Sequence, residues 1–315
     1  MRRIDHAAEV HDLAALLPDG ARTRRALSAA TSPSSVKRWL RGGDLVVLQP
    51  GVVALAARAD EWSVRATAAV AWSGAPLSHL SAVRAAGLVA DESGPVHVTV
   101  PLARLPRGRS ETVVHRSDRR LVTVRFGRLE VVAPERSLVD AWAWAHRPSR
   151  NDRAPLERRL VRQALIEAAR FRQVRARQVL RASDELGAHP GRAALVALMR
   201  LIADGCQSEL EIWGVLRVLP GPPDIPAWVQ QHRVDLPDGR IAHLDAAYLQ
   251  AMVAVELDGA AFHGSREQRE RDLRRDSALT ALGWVVLRFS YARLMADPEG
   301  CRREIVAAVR ARLAR

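Results

Sequence analysis

The sequence predicts an α+β first half and an α/β C-terminal third built on a mixed central sheet. Three observations lead there. Short helical runs near the start end in an apolar hairpin around residue 50. Strand-like alternation and helical patterning then mix from about residue 61 to 148. In the last third, apolar strand runs and charged helices follow one another, and carboxylates interrupt the apolar runs at Asp245 and Glu256.

The chain has 315 residues, enough for two or three domains with a core in each. Apolar residues make up 48% of it, the proportion of a globular protein. No stretch approaches the roughly 18 consecutive apolar residues that a membrane span needs. Residues 1–20 read as an amphipathic helix without the apolar core or cleavage site of a signal peptide, so a cytoplasmic location is expected. Cys206 and Cys301 form neither a metal-type pair nor a disulfide framework and are expected to be small buried residues. The formal net charge is +13, which suits a polyanion such as nucleic acid. Lys37 is the only lysine and alanine is abundant, a pattern that GC-rich coding writes whatever the function. The charge therefore permits a nucleic-acid partner without requiring one.

The first segment covers residues 1–60. Helical patterning runs over Ala7–Leu17 and Ala21–Ala30. Ser-Pro-Ser-Ser then opens a short helix at Ser35–Arg41, ended by Gly42-Gly43. Leu45–Leu48 and Val52–Leu55 read as strands joined by Gln49-Pro50-Gly51. Three helices and a hairpin make a winged helix-turn-helix. Lys37, Arg38 and Arg41 are three or four positions apart and share a face that suits DNA. Trp39 and Leu40 are expected to point back into the core.

The second segment covers residues 61–148. Pro76–Gly87 and Pro134–Trp144 read as helices; Val96–Val100, Val113–Arg116, Val122–Phe126 and Leu129–Val132 read as strands. His79, His97 and His115 lie on different elements and are expected to be surface or structural histidines. Residues 149–204 read as an arginine-rich helical linker. Its Arg158, Arg159, Arg162, Arg170, Arg172, Arg175, Arg177 and Arg181 fit either a phosphate track or a solvated connector.

The third segment, residues 205–315, opens with Ser208-Glu209-Leu210-Glu211, where Ser208 and Glu211 suit a capping box. Trp228–Val234 and Ile241–Tyr248 read as strands around Pro237-Asp238-Gly239. Met252–Leu257 is an apolar run ending at Glu256-Leu257-Asp258-Gly259. A charged helix reaches about Leu282, and Trp284–Phe289 is a final strand. Asp245 and Glu256 are eleven positions apart, across one turn between antiparallel strands, which brings them side by side. Glu256 and Asp258, two apart, share a face. Carboxylates crowded in apolar strands repel unless a cation compensates them. Hard oxygen ligands of this kind suit Mg²⁺ or Mn²⁺, with Asp245 and Glu256 as ligands and Glu211 completing the shell. Such an ion activates water and stabilises a phosphodiester transition state.

Two resemblances attach to these residues. Val36-Lys37-Arg38-Trp39-Leu40-Arg41, Leu45 and Pro50-Gly51-Val52 resemble the winged helix of AbiEi-type antitoxins, and residues 61–148 resemble the domain that follows it there. In the last segment, Ser208–Glu211, Asp245, Val255–Gly259, His263, Arg271-Asp272 and Gly283–Phe289 keep the order of a domain related to the very-short-patch repair endonuclease. That domain belongs to the PD-(D/E)xK superfamily. The resemblance implies a restriction-endonuclease-like fold and a catalytic set of Glu211, Asp245, Glu256, Asp258 and His263. Asp258 stands where the superfamily usually has lysine. His263 is the substitute base that the resemblance implies; a hydrogen bond between Asp258 and His263, or to backbone, is the alternative. Arg271, Arg274, Arg275 and Arg288 are candidate phosphate contacts, with helix-surface salt bridges to Asp272 or Asp276 as the other reading.

The function expected is therefore that of a metal-dependent DNA endonuclease with an N-terminal DNA-binding domain. The expected partner is DNA, with no membrane and no small-molecule cofactor. A non-enzymatic, antitoxin-like transcriptional regulator with a degenerate nuclease fold is the alternative, and leaves a cognate toxin or antitoxin open as a partner.

Overall fold

The computed structural model describes residues 13–90, 94–104, 106, 111–148, 154–258 and 266–314. The chain divides into two compact units, one within residues 1–168 and 172–195, the other within 169–171 and 196–315. Among the described residues, no helix is long and apolar enough to cross a membrane.

The first unit opens with α1 (described at residues 13–16), β1 (Ala21–Thr23), α2 (Arg24–Ala30), α3 (Pro33–Gly42), β2 (Leu45–Gln49) and β3 (Val52–Leu55). The strands form an antiparallel sheet in the order β1-β3-β2. α3 starts where Ser32 Oγ accepts the Ser35 N–H at 3.0 Å and Pro33 takes the first turn. Gly43 ends it in a left-handed cap at φ +82°. Leu27, Val36, Trp39, Leu45 and Val53 bury their side chains together, with Leu40 against them. Lys37, Arg38 and Arg41 remain exposed along one shallow groove. The helix expected from Ala21 begins only at Arg24. Thr23 caps it, Oγ1 accepting the Ala26 N–H at 3.2 Å, and Ala21–Thr23 pair with Val52–Ala54 instead. Residues ahead of a cap lack helical partners, whereas the β3 edge offers them a ladder.

Next come α4 (Trp62–Ser73), α5 (His79–Ala85), β4 (Val96–Pro101), β5 (Thr112–Ser117), β6 (Thr123–Phe126), β7 (Leu129–Val132) and α6 (Pro134–Ala145). β4 and β5 pair in parallel, β6 and β7 antiparallel, and Leu77 bridges Val98 of one pair to Val131 of the other. α4 is absent from the sequence reading. Trp62, Val64, Ala66, Ala68 and Ala69 are all buried, so no polar face marks its helical period. The arginine-rich stretch forms α7 (Ala154–Arg170), α8 (Ala176–Leu186) and α9 (Arg192–Ala203). It buries Val161, Ala164, Leu165, Val179 and Ala182.

The second unit contains α10 (Glu209–Arg217), β8 (Val229–Asp235), β9 (Ile241–Tyr248), β10 (Val253–Asp258), α11 (Arg266–Ala281), β11 (Val285–Ser290), α12 (Tyr291–Ala296) and α13 (Pro298–Leu313). Its sheet runs β11-β10-β9-β8, with β10–β11 parallel and the other pairs antiparallel, the mixed sheet the sequence predicts. Val253, Val255, Leu257 and Phe289 form a core with Cys301, Ile305 and Val309 of α13. Both cysteines are buried and unpaired, as expected. α10 lies close on β10: a Cβ at Gly214 would meet Leu257 Cδ1 at 2.4 Å. The buried Tyr248 hydroxyl donates to the Leu219 carbonyl at 2.9 Å and ties β9 to the segment after α10. Arg312 of α13 donates to the carbonyls of Ala251 at 3.1 Å and Gly283 at 2.8 Å, clamping the turns that enter β10 and β11.

Candidate active site

Asp245 and Glu256 meet where the β9–β10 ladder ends. The pairs Val253↔Tyr248, Ala254↔Ala247 and Val255↔Ala246 set the register, and one step further Glu256 comes level with Asp245. There the backbone pairing gives way to a side chain: Leu257 N–H donates to Asp245 Oδ2 at 2.9 Å. On the other side of β9, the pairs Gln230↔Ala246 and His232↔Leu244 bracket Gln231 opposite Asp245. On the far edge, Glu256 is paired with Arg288 of β11. Gln231, Asp245, Glu256 and Arg288 thus form one rank across four strands.

Helix α10 brings the third carboxylate. Ser208 Oγ accepts the Glu211 N–H at 3.1 Å and so caps the helix, as the sequence suggests. The return half of a capping box is replaced: Glu211 Oε1 accepts the Ser208 hydroxyl at 2.9 Å and Oε2 the Gln207 N–H at 2.9 Å, not the Ser208 N–H. The same carboxylate reaches the rank. Gln231 Nε2 lies 3.4 Å from Glu211 Oε2 and 3.4 Å from Asp245 Oδ1, two long contacts through one amide. The close packing permitted at Gly214 sets α10 near enough for this. Sequence reasoning missed Gln231. It sits at φ +45° in an otherwise extended strand, and nothing in the Gln230-Gln231 pair marks which amide turns inward.

Glu256 is covered from α11. Arg275 Nη2 donates to Glu256 Oε1 at 2.8 Å and to the His243 carbonyl at 2.7 Å. Burial nonetheless outweighs this ion pair and, with Asp245 nearby, pushes the Glu256 carboxyl up to about 7. Burial also raises Asp245, against the Leu257 N–H that holds it down, and raises Glu211, with the Asp245 charge adding to the effect. Three carboxyls with raised affinity for protons are groups held where positive charge is wanted.

The remaining expected residues divide. Asp258 ends β10 opposite Ser290; its side chain lies outside the described atoms, as does His263 with the rest of residues 259–265. Arg275 is engaged with Glu256, Arg288 with Asp276 at 2.7 Å and Arg274 with Glu270 at 3.2 Å, while Arg271 is exposed on α11. Arg288 on β11 is thus paired across to Asp276 of α11 in this structure.

The family described as REase_MTES_1575 matches residues 229–309, about a quarter of the chain, from β8 through most of α13. The match supports a restriction-endonuclease-like C-terminal domain and covers Asp245, Glu256 and Arg275 but not Glu211. No curated protein matches the chain.

Proposed function

We propose, with the restriction-endonuclease-like C-terminal domain as premise, that this protein is a divalent-metal-dependent DNA endonuclease. The observation that carries the reading is the convergence of Glu211, Asp245 and Glu256 on one end of the sheet, with the Gln231 amide between the first two. The donor chemistry suits Mg²⁺ or Mn²⁺, all oxygen and largely buried, with an amide N–H and a guanidinium where a cation would compensate. Glu211, Asp245 and Glu256 do not lie within 4.8 Å of one another, so they would have to draw together to share one ion. Asp245, Glu256 and Glu211 would hold the ion. When bound it supplies Lewis-acid stabilisation of the charge that develops on the phosphodiester.

The chain's own residues do the rest. Arg275, which reaches Glu256, would offer its guanidinium to a phosphate, as would Arg271, Arg274 and Arg288 where their acidic partners yield. His263 serves as the proton-transfer group in place of the usual lysine, with Asp258, two residues after Glu256, to orient it. In the N-terminal segment, α3 serves as the recognition helix of a winged helix-turn-helix, presenting Lys37, Arg38 and Arg41 to DNA. Asp258 favours one competing reading, an antitoxin-like regulator whose nuclease fold no longer cuts.

The test incubates the full chain with plasmid, single-stranded DNA and RNA, in Mn²⁺ and in EDTA. Cleavage of DNA in Mn²⁺ that EDTA and Asp245→Asn both abolish is expected. Manganese binding without cleavage of any substrate would favour the regulator.

A further inference from the structure

The three histidines expected to be separate structural or surface residues come together in the first unit. His79 begins α5, His97 lies on β4 and His115 on β5. One ring nitrogen from each lies within 4.8 Å of the other two. His79 and His97 are buried, and His115 is half-buried. His97 Nδ1 and His115 Nε2 are 2.9 Å apart with their rings within 12° of parallel, and His79 stacks on His115 at 3.5 Å between centroids.

Three further features converge there. His79 and His115 line a cavity of about 640 Å³, edged by Arg116, Arg136, Arg147 and Trp144. The Thr99 hydroxyl, 4% exposed and without a hydrogen-bond partner, lines the same cavity. His79 holds a left-handed backbone, φ +52°, which costs a residue with a Cβ on the order of 1–3 kcal/mol and is kept where the surroundings impose it. The buried Ser78 hydroxyl meets His79 Nδ1 at 3.0 Å, which fixes the ring and leaves Nε2 free.

We propose that His79, His97 and His115 form a binding site for a divalent transition-metal ion of the Zn²⁺ class, with its open coordination position facing this cavity. Three imidazoles select Zn²⁺, Co²⁺ or Ni²⁺ over the hard cations that suit the carboxylates of the second unit, so the two sites take different metals. Burial and neighbouring guanidinium groups hold the rings below the usual imidazole range, so they are neutral at pH 7 and need shed no proton to bind. Zinc–nitrogen bonds of about 2.0–2.1 Å set ligand nitrogens roughly 3.3 Å apart. The His97–His115 separation opens slightly to admit the ion, the ring that donates between them carrying its proton on its other nitrogen instead so that none is lost, while His79 tilts about its Nδ1 bond to Ser78 to aim Nε2. Arg136 is paired with Asp140 at 2.9 Å, but Arg116, Arg119 and Arg147 also line the cavity and disfavour a bare dication, so the fourth ligand is an anion that enters from the cavity.

The full chain, stripped with chelator, is titrated with Zn²⁺ and Co²⁺ beside Asp245→Asn, His97→Ala, His115→Gln and Ser78→Ala. Parent and Asp245→Asn should each take up one Co²⁺ with the visible absorption of nitrogen-ligated cobalt. Ser78→Ala should weaken binding roughly 10–100-fold, as loss of an orienting neighbour does, and the histidine variants should lose more. If a histidine variant does not fold, long-range ¹H–¹⁵N spectra of the parent decide the matter: Zn²⁺ must shift the ring nitrogens of three histidines. Uptake lost in Asp245→Asn but kept in His115→Gln, or spectra in which no histidine responds to Zn²⁺, overturns the proposal.

Discussion

The Arg275 guanidinium donates to the Glu256 carboxylate at 2.8 Å, yet Glu256 binds protons more tightly than an exposed glutamate does. Their side chains are 21% and 12% exposed, so the loss of water outweighs the pair. A carboxyl whose affinity for protons is raised by folding stabilises the fold most below its unfolded value, and that contribution is lost as pH rises through the folded one. In metal-free buffer, the second unit should therefore lose stability as pH rises from about 4.5 to 7, by at most roughly 3 kcal/mol for a shift of this size. Urea titrations across that window should show a steeper slope in the parent than in Glu256→Gln, where Asp245 and Glu211 still contribute in the same direction. Equal slopes would assign it to another group.

Removing Asp245 has two separable effects. Asp245→Ala leaves the Leu257 N–H without its acceptor and should cost about 1–3 kcal/mol. Asp245→Asn keeps an acceptor oxygen and should remain near parental stability. Both should abolish Mn²⁺ binding by calorimetry at the carboxylate site. If Asp245→Asn binds like the parent, Asp245 is not a ligand.

Gln231 offers a substitution that imitates the cation. Gln231→Lys places an ammonium between Glu211 and Asp245 in place of the amide. The variant should melt above the parent in EDTA and fail to gain stability from Mn²⁺. A melting temperature below the parent's would mean that the two carboxylates do not share charge compensation through this position.

His263→Ala should slow cleavage by about 10²- to 10⁴-fold, the usual worth of a proton-transfer group, with Mn²⁺ affinity nearly unchanged. Parental rates would shift the role to Asp258 or to water alone.

The exposed face of α3 makes a salt-dependent prediction. Lys37→Ala, Arg38→Ala and Arg41→Ala together in the full chain should weaken duplex binding and flatten its dependence on log salt by about two to three units, one per lost phosphate contact. An unchanged slope would make this face a protein-docking surface instead.

The strand pair β9–β10 was legible because an apolar run, a turn and another apolar run leave few registers, and the separation of Asp245 from Glu256 then follows. The Ser208 cap on α10 was legible because it is local. The link from Glu211 to Asp245 was not, since it depends on a helix approaching a strand at Gly214 and on one irregular residue, Gln231. α4 escaped notice because burial on most of its sides removes the periodic contrast. The histidine cluster escaped for a different reason. His79, His97 and His115 meet only through the parallel pairing of β4 with β5 and the placement of α5 beside them, and parallel pairing leaves no turn in the sequence to mark it.

The clamp that Arg312 places on the Ala251 and Gly283 carbonyls also sets an order in time. Asp245 and Glu256 leave the ribosome well before β11 and α13, which supply the second edge of β10 and the cover over Val253, Val255 and Leu257. Until β11 and α13 are made, the strand bearing Glu256 has neither its parallel neighbour nor its roof, and only the pairing with β9 holds it. A growing chain therefore carries Asp245 and Glu256 before β11 and α13 fix the strand between them.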